Sequence, residues 1–283
     1  MVKDWRFWFV IPTVLALGTV VAFPTGFLLW MSTAHWVVTE PGVYFNGAQN
    51  FQTLFASSAF LSATGVTLAY LTLSTAIMVV LAFAFALALA GPHSSGLLRA
   101  LMITPLVIPP VVVGFTWRFL LNGEIGFIGA YLLPAIGIEA NLLAEPLGAL
   151  FSIVIADVWS RTPFMFLIFL AALQSIPRDY YEAIRLDGAK RFHEFFLITL
   201  PMMKGAISVA ILFRVIDALN TFELIYVMTK GGPGRSTQTY SLLGWKTAFQ
   251  GFDFGAAAAL GVVMIVVTTI VALAVFRRFM RGV

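Results

Sequence analysis

The chain has 283 residues, of which 60% are hydrophobic and only 11% are charged, and its mean hydropathy is +0.95. Soluble domains carry about 25% charged residues, so this composition excludes an ordinary soluble domain and indicates a protein that lies in lipid. The absence of cysteine excludes disulfides and thiolate metal sites, and the net charge of +4 does not indicate nucleic-acid binding, because the basic residues follow membrane topology.

Several apolar stretches are long enough to cross a membrane. An α-helix needs about 20 residues to span a hydrocarbon core about 30 Å thick. The sequence therefore predicts an all-α integral membrane protein with six transmembrane helices. Lys3 and Arg6 precede the first stretch, which is too long for a signal-peptide core, so we expect an uncleaved first span. The predicted spans are Phe7–Met31, Leu61–Ala90, Ala100–Leu121, Leu147–Leu173, Gly205–Tyr226 and Phe254–Phe276.

The domain organisation follows from these spans. Residues 1–60 are predicted to form the first transmembrane helix with a long outer loop, peripheral to a five-helix core. Residues 61–276 form that core domain, and residues 277–283 form a basic cytoplasmic tail.

The orientation follows from the lysine and arginine residues. With the N-terminus inside, inner segments carry eleven of these residues against four in outer segments or at an outer span end, so both termini are predicted to be cytoplasmic. Four tryptophans, Trp30, Trp36, Trp117 and Trp245, lie near predicted span ends, where their rings suit the headgroup layer. The inner residues are Lys3, Arg6, Arg99, Arg178, Arg185, Lys190, Arg191, Lys204, Arg277, Arg278 and Arg281; the outer ones are Arg118, Lys230, Arg235 and Lys246.

Prolines interrupt two of the predicted spans. Pro105, Pro109 and Pro110 are expected to bend the third span. Pro163 in the fourth span lacks an N–H and clashes with the carbonyl of Trp159, so we expect a kink there. An aromatic ring beside a free carbonyl suits sugar recognition, because the ring stacks on C–H groups while the carbonyl accepts from hydroxyls.

Charged residues inside spans are costly and therefore informative. Asp157 and Arg161 are four residues apart, and Arg214 and Asp217 are three apart, so each pair shares a helix face and is predicted to form an intrahelical ion pair. We favour a structural role for both pairs, with a polar lining for a sugar path as the other reading. An alternative function is a secondary carrier driven by an ion gradient that uses Asp157 or Asp217 as its coupling site.

One inner loop, Ser175–Lys204, is the only strongly polar segment between two long apolar runs. Ser175 and Pro177 predict a helix start, and Arg178–Asp187 predicts a short helix. Gly188 then permits a sharp turn. A second helix is predicted over Lys190–Leu200, and Pro201 limits its extension.

The loop also carries a motif. Its sequence is Glu-Ala-Ile, three residues, Gly, nine residues, then Ile-x-Leu-Pro, beginning at Glu182. This pattern resembles the EAA motif of permease subunits of binding-protein-dependent ABC importers, with Ile184 in place of the usual second alanine. Further stretches resemble the MalF-like, carbohydrate-uptake branch of that family. They are DVWSRTPF from Asp157, ALQSIP from Ala172, RVIDA from Arg214, FELIYVMT from Phe222 and GGPGRST from Gly231.

The resemblance implies a type I ABC importer permease fold in a bacterial cytoplasmic (inner) membrane, carrying a carbohydrate or polyol. It implies four kinds of partner: membrane lipid, a second homologous permease, two copies of an ABC ATPase, and an extracytoplasmic sugar-binding protein. The short loop helix is expected to insert into a cleft of the ATPase, which binds ATP and magnesium, so that this chain needs no cofactor and is not itself an enzyme. The implied coupling residues are Tyr181, Glu182, Ala183, Asp187, Gly188, Ile198, Leu200 and Pro201.

The residues agree with that implication, since the chain contains no Gly-rich phosphate-binding motif with its lysine. Neither a metal site nor a catalytic residue is predicted, because the three histidines fall in separate segments. In MalF-like permeases the sugar is held mid-membrane by the corresponding helices. The candidate substrate contacts are therefore Trp159, Asn220, Glu223 and Tyr226.

Overall fold

The structure is a computed structural model that describes residues 5–91, 95–138 and 141–280. Lys3, Arg281 and one of the three histidines considered above, His93, lie outside these ranges. The α-helices are α1 Trp5–Ser32, α2 Gln49–Ala56, α3 Ser58–Leu89, α4 Gly96–Ile103, α5 Pro110–Leu120, α6 Leu133–Ala135, α7 Pro146–Ser175, α8 Arg178–Leu186, α9 Arg191–Glu194, α10 Leu200–Met202, α11 Lys204–Asn220, α12 Glu223–Thr229, α13 Tyr240–Phe249 and α14 Phe254–Met280. Short 3₁₀ segments cover Thr104–Val107 and Leu142–Ala144, and π-helical segments cover Phe127–Leu132 and Phe195–Thr199.

The predicted spans are present, although two of them are bent. Across the described ranges, four helices are long and apolar enough to cross a membrane, and the count is six when each of two bent helix pairs is taken as one span. The four continuous spans lie in α1, α3, α7 and α14. The sequence prediction of a six-span, all-α membrane protein is therefore confirmed.

The third span is sharply bent. The axis of Gly96–Val107 meets that of α5 at 98°. Pro109 has extended backbone angles and precedes Pro110 at the first turn of α5, where a missing N–H costs nothing. The bend predicted from the prolines is confirmed. Pro163, in contrast, does not interrupt α7, which is assigned as one helix from Pro146 to Ser175.

The fifth span was predicted as one helix, Gly205–Tyr226, and this is wrong. The helix α11 ends at Asn220, Thr221 is extended, and α12 begins at Glu223. The side chain of Asn220 donates to the carbonyl of Ile216 at 2.7 Å, and the Thr221 hydroxyl donates to the carbonyl of Asp217 at 3.0 Å. Local side-chain bonds of this kind compete with the helical backbone and favour a helix end.

The described chain divides into two compact units. The first comprises the chain up to Leu61 together with Leu243–Val267, and the second comprises Ser62–Leu242 and the chain from Thr268. The predicted division at residues 60/61 and at 276/277 stays a prediction.

In the first unit, the segment after α1 folds against the start of α14. Two-residue strands, β1 Ala34–His35 and β2 Tyr44–Phe45, pair antiparallel, a small departure from the all-α expectation. The buried amide of Asn50 donates to the carbonyls of Ser32 and Ala34 at 2.9 and 2.8 Å. These bonds supply partners for backbone oxygens at the end of α1 and just after it.

In the second unit, α5 and α12 pack very closely. A Cβ added to the buried Gly114 would lie 3.0 Å from Cβ of Val227. The guanidinium of Arg118 also donates to the carbonyl of Val227 at 2.9 Å. The glycine therefore permits an approach that a side chain would obstruct.

Candidate functional site

The polar loop between α7 and α11 begins with the exposed helix α8. None of the residues of α8 is buried, and Pro177 occupies its N-cap position. The prediction that Ser175 starts this helix is wrong, because α7 continues through Ser175. Its hydroxyl donates to the carbonyl of Ala172 at 2.7 Å and so bonds within α7. The predicted short helix itself is confirmed, one residue shorter than expected.

Gly188 forms the turn that follows α8. Its φ of +76° lies in the left-handed region, where a Cβ is unfavourable. Its N–H donates to the carbonyl of Arg185 at 3.0 Å, and the N–H of Ala189 donates to the carbonyl of Ile184 at 3.2 Å. These bonds close the carboxyl end of α8 and reverse the chain.

The return arm of the loop is helical but irregular. It runs through α9, the π-helical Phe195–Thr199 and α10, so it extends past Pro201 to Met202 rather than stopping at Leu200. The N–H of Met203 donates to the carbonyl of Thr199 at 3.0 Å. The arm, Arg191–Met202, then meets α11 at 63°.

Two side-chain bridges hold the loop's arms together. Arg185 donates from Nε and Nη2 to the two carboxylate oxygens of Glu194, at 2.8 and 3.0 Å. This two-pronged bond lowers the pKa of Glu194 below its ordinary value and raises the pKa of Arg185. The Tyr181 hydroxyl lies 3.0 Å from the hydroxyl of Thr199. The loop is therefore a defined helix–turn–helix rather than a loose chain.

Aromatic packing anchors the return arm to the membrane helices. The ring of Phe195 lies 5.4 Å from that of Phe83 in α3, and Phe83 lies 5.3 Å from Phe169 in α7. Ile198 is buried. The return arm is therefore packed against α3, which in turn packs against α7.

The predicted coupling residues fall into two groups. Glu182, Ala183, Asp187 and Gly188 are exposed, whereas Ile198 is buried and Tyr181, Leu200 and Pro201 are half-buried. The first group is available to a partner, and the second builds the loop. Leu186, absent from the predicted set, is 89% exposed at the end of α8. The sequence did not predict the exposure of Leu186, because that exposure depends on how α8 is oriented.

The four intramembrane charges form one network. Arg214 donates from Nη2 to Oδ2 of Asp157 at 2.5 Å and from Nη1 to Oδ2 of Asp217 at 3.2 Å. Nη1 of Arg161 lies 3.3 Å from Oδ1 of Asp217. The predicted Arg214–Asp217 pair is present. The predicted Asp157–Arg161 pair is wrong, because each of these residues on α7 is paired with a residue of α11 instead.

The network also reaches α3. Arg214 donates to the hydroxyl of Ser74 at 2.6 Å, and its guanidinium carbon lies 5.6 Å from the centre of the Tyr70 ring. Three helices that are distant in sequence are thereby joined by one buried arginine. A carboxylate of an ion-coupled carrier must gain and lose an ion, whereas Asp157 is buried against Arg214. Asp157 is therefore not favoured as the coupling site of a carrier, and Asp217 is itself paired with both Arg161 and Arg214.

A cavity of about 460 Å³ in the second unit is lined on one side by two tryptophans. Trp117 of α5 and Trp159 of α7 meet edge to face, with ring centres 6.1 Å apart. Thr162 also lines this cavity, and its buried hydroxyl has no hydrogen-bond partner within the described ranges. Trp117 was interpreted from sequence as a headgroup tryptophan, whereas in the structure its ring lies against that of Trp159.

The other candidate substrate contacts lie elsewhere. Asn220 and Glu223 are exposed on either side of the break between α11 and α12, and Tyr226 stacks on Phe222 at 5.3 Å. None of Asn220, Glu223 and Tyr226 lines the cavity that Trp159 lines. The structure therefore does not gather the four predicted contacts into one cavity.

Comparison with known proteins decides the family. Residues 78–283 match the model of the family described as "Binding-protein-dependent transport system inner membrane component". The chain belongs to this family. It is 37% identical over 276 residues to the trehalose/maltose transport system permease protein MalF of Thermococcus litoralis, an alignment that covers 95% of this chain and 93% of that protein.

Among the described residues no cluster of three or more His, Asp or Glu could hold a metal ion.

A second sequence relative and a solved structure are also similar to this chain. The trehalose transport system permease protein SugA of Mycobacterium tuberculosis is 34% identical over 275 residues, covering 96% of this chain and 88% of SugA. A crystal structure of a bacterial ABC transporter involved in the import of the acidic polysaccharide alginate contains a similar fold. Its TM-score is 0.83 at 24% identity, with 99% of this chain and 96% of that chain covered. This chain is thus an inner-membrane permease component with the type I ABC importer permease fold.

Proposed function

We propose that this chain is one permease subunit of an ATP-driven importer for a carbohydrate or polyol, and that its loop Ser175–Lys204 couples it to the ATPase subunits. The observation that carries the proposal is a loop whose two arms are bridged by side chains and whose tip is exposed. Glu182, Ala183 and Leu186 on α8 are open to a partner, while the Arg185–Glu194 and Tyr181–Thr199 bridges fix α8 to the return arm.

The loop suits mechanical coupling for a physical reason. A helix that is fixed to its neighbours transmits a displacement, whereas a mobile loop absorbs it. Phe195 packs on Phe83, which in turn packs on Phe169, so force on α8 reaches two spanning helices. We infer that nucleotide-driven closure of two ATPase subunits moves α8 and reorients these helices.

The proposed assembly contains this chain, a second homologous permease, two ABC ATPases and an extracytoplasmic sugar-binding protein. Both termini and the loop would be cytoplasmic, which agrees with the excess of basic residues on that side. ATP and magnesium would bind to the ATPase subunits, so hydrolysis would take place outside this chain.

A carbohydrate substrate is supported by two independent observations. The relatives MalF and SugA bear the names of trehalose/maltose and trehalose transport systems. The Trp117–Trp159 pair offers aromatic surface to a cavity of about 460 Å³, a size that suits a small organic ligand. Trp159, Asn220, Glu223 and Tyr226 remain our proposed substrate contacts, and Trp117 joins them.

Transport in proteoliposomes tests the proposal. The four kinds of subunit are reconstituted, ATP is enclosed, and entry of labelled trehalose is followed in the presence of the binding protein. We expect uptake that requires ATP and survives a protonophore. Uptake that survives ATP depletion and collapses with a protonophore would establish the secondary carrier instead.

A variant of the loop tests the coupling part separately. Glu182→Ala combined with Gly188→Trp should abolish association with the ATPase, since it removes an exposed carboxylate and strains the turn at φ +76°. Lys190→Gln, also exposed in the loop, serves as the matched control. If the double variant purifies as an intact complex with normal ATP hydrolysis, the assignment of the loop is wrong.

A further inference from the structure

A second, smaller cavity lies beside the ion network in the second unit. Its volume is about 220 Å³, below the range of about 300–1,000 Å³ that drug-sized ligands occupy, so it accommodates part of a molecule such as one edge of a sugar ring. Three charged residues line it: Arg161, Arg214 and Asp217. The remaining lining residues are apolar: Met78, Leu106, Phe164, Met165, Ala210 and Phe213.

Exposure divides the network into two pairs. The side chains of Arg214 and Asp157 are 3% and 1% exposed, whereas those of Arg161 and Asp217 are 33% and 37% exposed. A charge inside a membrane protein is tolerated when it is buried and paired or when it lines a cavity that water can enter. Arg214 and Asp157 meet the first condition. Arg161 and Asp217 pair with each other and are partly exposed at the wall of this cavity.

The charges of the network cancel. Arg161 and Arg214 contribute two positive charges, and Asp157 and Asp217 contribute two negative charges. Although Asp157 does not line the cavity, its carboxylate lies 2.5 Å from Nη2 of Arg214 and neutralises it. An ionic ligand would therefore gain no net attraction to offset the loss of its hydration.

The cavity wall nevertheless offers directional hydrogen bonds. The carboxylate of Asp217 accepts, the guanidinium of Arg161 donates in a planar fork, and the two lie 3.3 Å apart. Adjacent donors and acceptors of this kind match the neighbouring hydroxyls of a sugar or polyol, each of which both donates and accepts.

We propose that the Arg161–Asp217 pair binds two neighbouring substrate hydroxyls, and that the neutrality of the four-residue network makes this permease select uncharged sugars or polyols over phosphorylated or carboxylated ones. Arg161 and Asp217 contact the substrate, while Asp157 and Arg214 hold the helices and cancel the extra charge. This inference rests on the proposed function and narrows its substrate class.

The test measures equilibrium binding to the complete complex in nanodiscs, without the binding protein, so that the selectivity of the permease itself is read. The complex is trapped with ATP and vanadate, and the probes are labelled trehalose and glycerol 3-phosphate. We expect wild type to bind trehalose at least tenfold more tightly than glycerol 3-phosphate. Asp217→Asn removes a charged acceptor and leaves the network with a net positive charge. The ratio of the trehalose affinity to the glycerol 3-phosphate affinity should therefore fall at least tenfold.

Arg161→Gln provides a second variant in case Asp217→Asn fails to assemble, and it should lower trehalose binding at least tenfold. Glu124→Gln, which replaces an exposed carboxylate in the segment between α5 and α7, is the control and should leave both affinities unchanged. A purely structural network would alter thermal stability while leaving the ratio of the two affinities unchanged.

Equal or tighter binding of glycerol 3-phosphate by wild type would overturn the inference. So would an unchanged affinity ratio in an assembled Asp217→Asn complex, or binding of neither probe. The proposed function is judged separately, by ATP-dependent uptake with the binding protein present. ATP-driven uptake together with an unaltered affinity ratio would thus refute this inference alone.

Discussion

Replacing Asp157 with alanine would leave the guanidinium of Arg214 buried without its main partner. Both side chains are at most 3% exposed, and Nη2 and Oδ2 are 2.5 Å apart. Removing one member of a buried ion pair costs about 3–5 kcal/mol, because the remaining charge stays in a medium of low dielectric. Asp217, 3.2 Å from Nη1, retains part of the compensation. We therefore expect a loss of about 3 kcal/mol, which is more than a hundredfold in the equilibrium between folded and unfolded forms.

Reversible unfolding in mixed micelles measures this loss. The double variant Asp157→Leu with Arg214→Met removes both charges together, and we expect it to recover much of the stability, since apolar replacement of a whole buried pair is often close to neutral. Arg161→Gln is the matched control. Its partly exposed pair should contribute less than about 1 kcal/mol. A cost below about 1 kcal/mol for Asp157→Ala, or a double variant no more stable than the single one, would refute the reasoning.

Three further predictions concern packing, pH and substrate. Gly114→Val should lower the stability of the purified complex by about 1–3 kcal/mol in the same unfolding assay, because its Cβ would lie 3.0 Å from Val227; an unchanged midpoint would contradict the close approach of α5 and α12. Folding lowers the pKa of Glu194 below its ordinary value of 4.5, because the carboxylate bonds to Arg185. This bond therefore stabilises the loop fully at pH values above 4.5, and the stabilisation is lost as the pH falls through the lower pKa of the folded state. Hydrogen exchange of the loop, corrected for intrinsic rates, should therefore rise in wild type as the pH falls below 4.5. In Glu194→Gln it should be raised already at neutral pH, and equal exchange in both proteins at pH 7 would count against the bridge. Trp159→Ala should reduce ATP-driven sugar uptake at least tenfold while the complex still assembles, and full uptake would remove this residue from the substrate path.

Local features of the fold were predictable because their causes are local. Length and hydropathy located the spans, since the thickness of the hydrocarbon core dictates about 20 apolar residues. Pro109 and Pro110 predicted the bend in the third span, and Gly188 predicted the turn, because each restricts or permits particular backbone angles. The break at Thr221 was not predicted. The side chains of Asn220 and Thr221 bond to the preceding turn at the end of α11, and the hydropathy of the sequence does not reveal such bonds.

Pairings between helices were not predictable from spacing. Asp157 and Arg161 are four residues apart, as an intrahelical pair requires, yet Arg161 instead bonds to Asp217 of α11. Spacing shows which residues share a face of one helix, but not which face meets which neighbour. The contact between Trp117 and Trp159 was not predicted for the same reason, because it depends on how α5 and α7 pack against each other.

Site-directed crosslinking tests the central claim, that the tip of α8 docks on the ATPase. Because the chain contains no cysteine, a single introduced thiol is unique within it. Leu186→Cys, at a position that is 89% exposed at the end of α8, should crosslink to the ATPase subunit in the assembled complex, and nucleotide should change the yield. Glu124→Cys in the predicted outer segment should give no such product. An intact, ATP-hydrolysing complex in which Leu186→Cys never crosslinks to the ATPase would contradict the account.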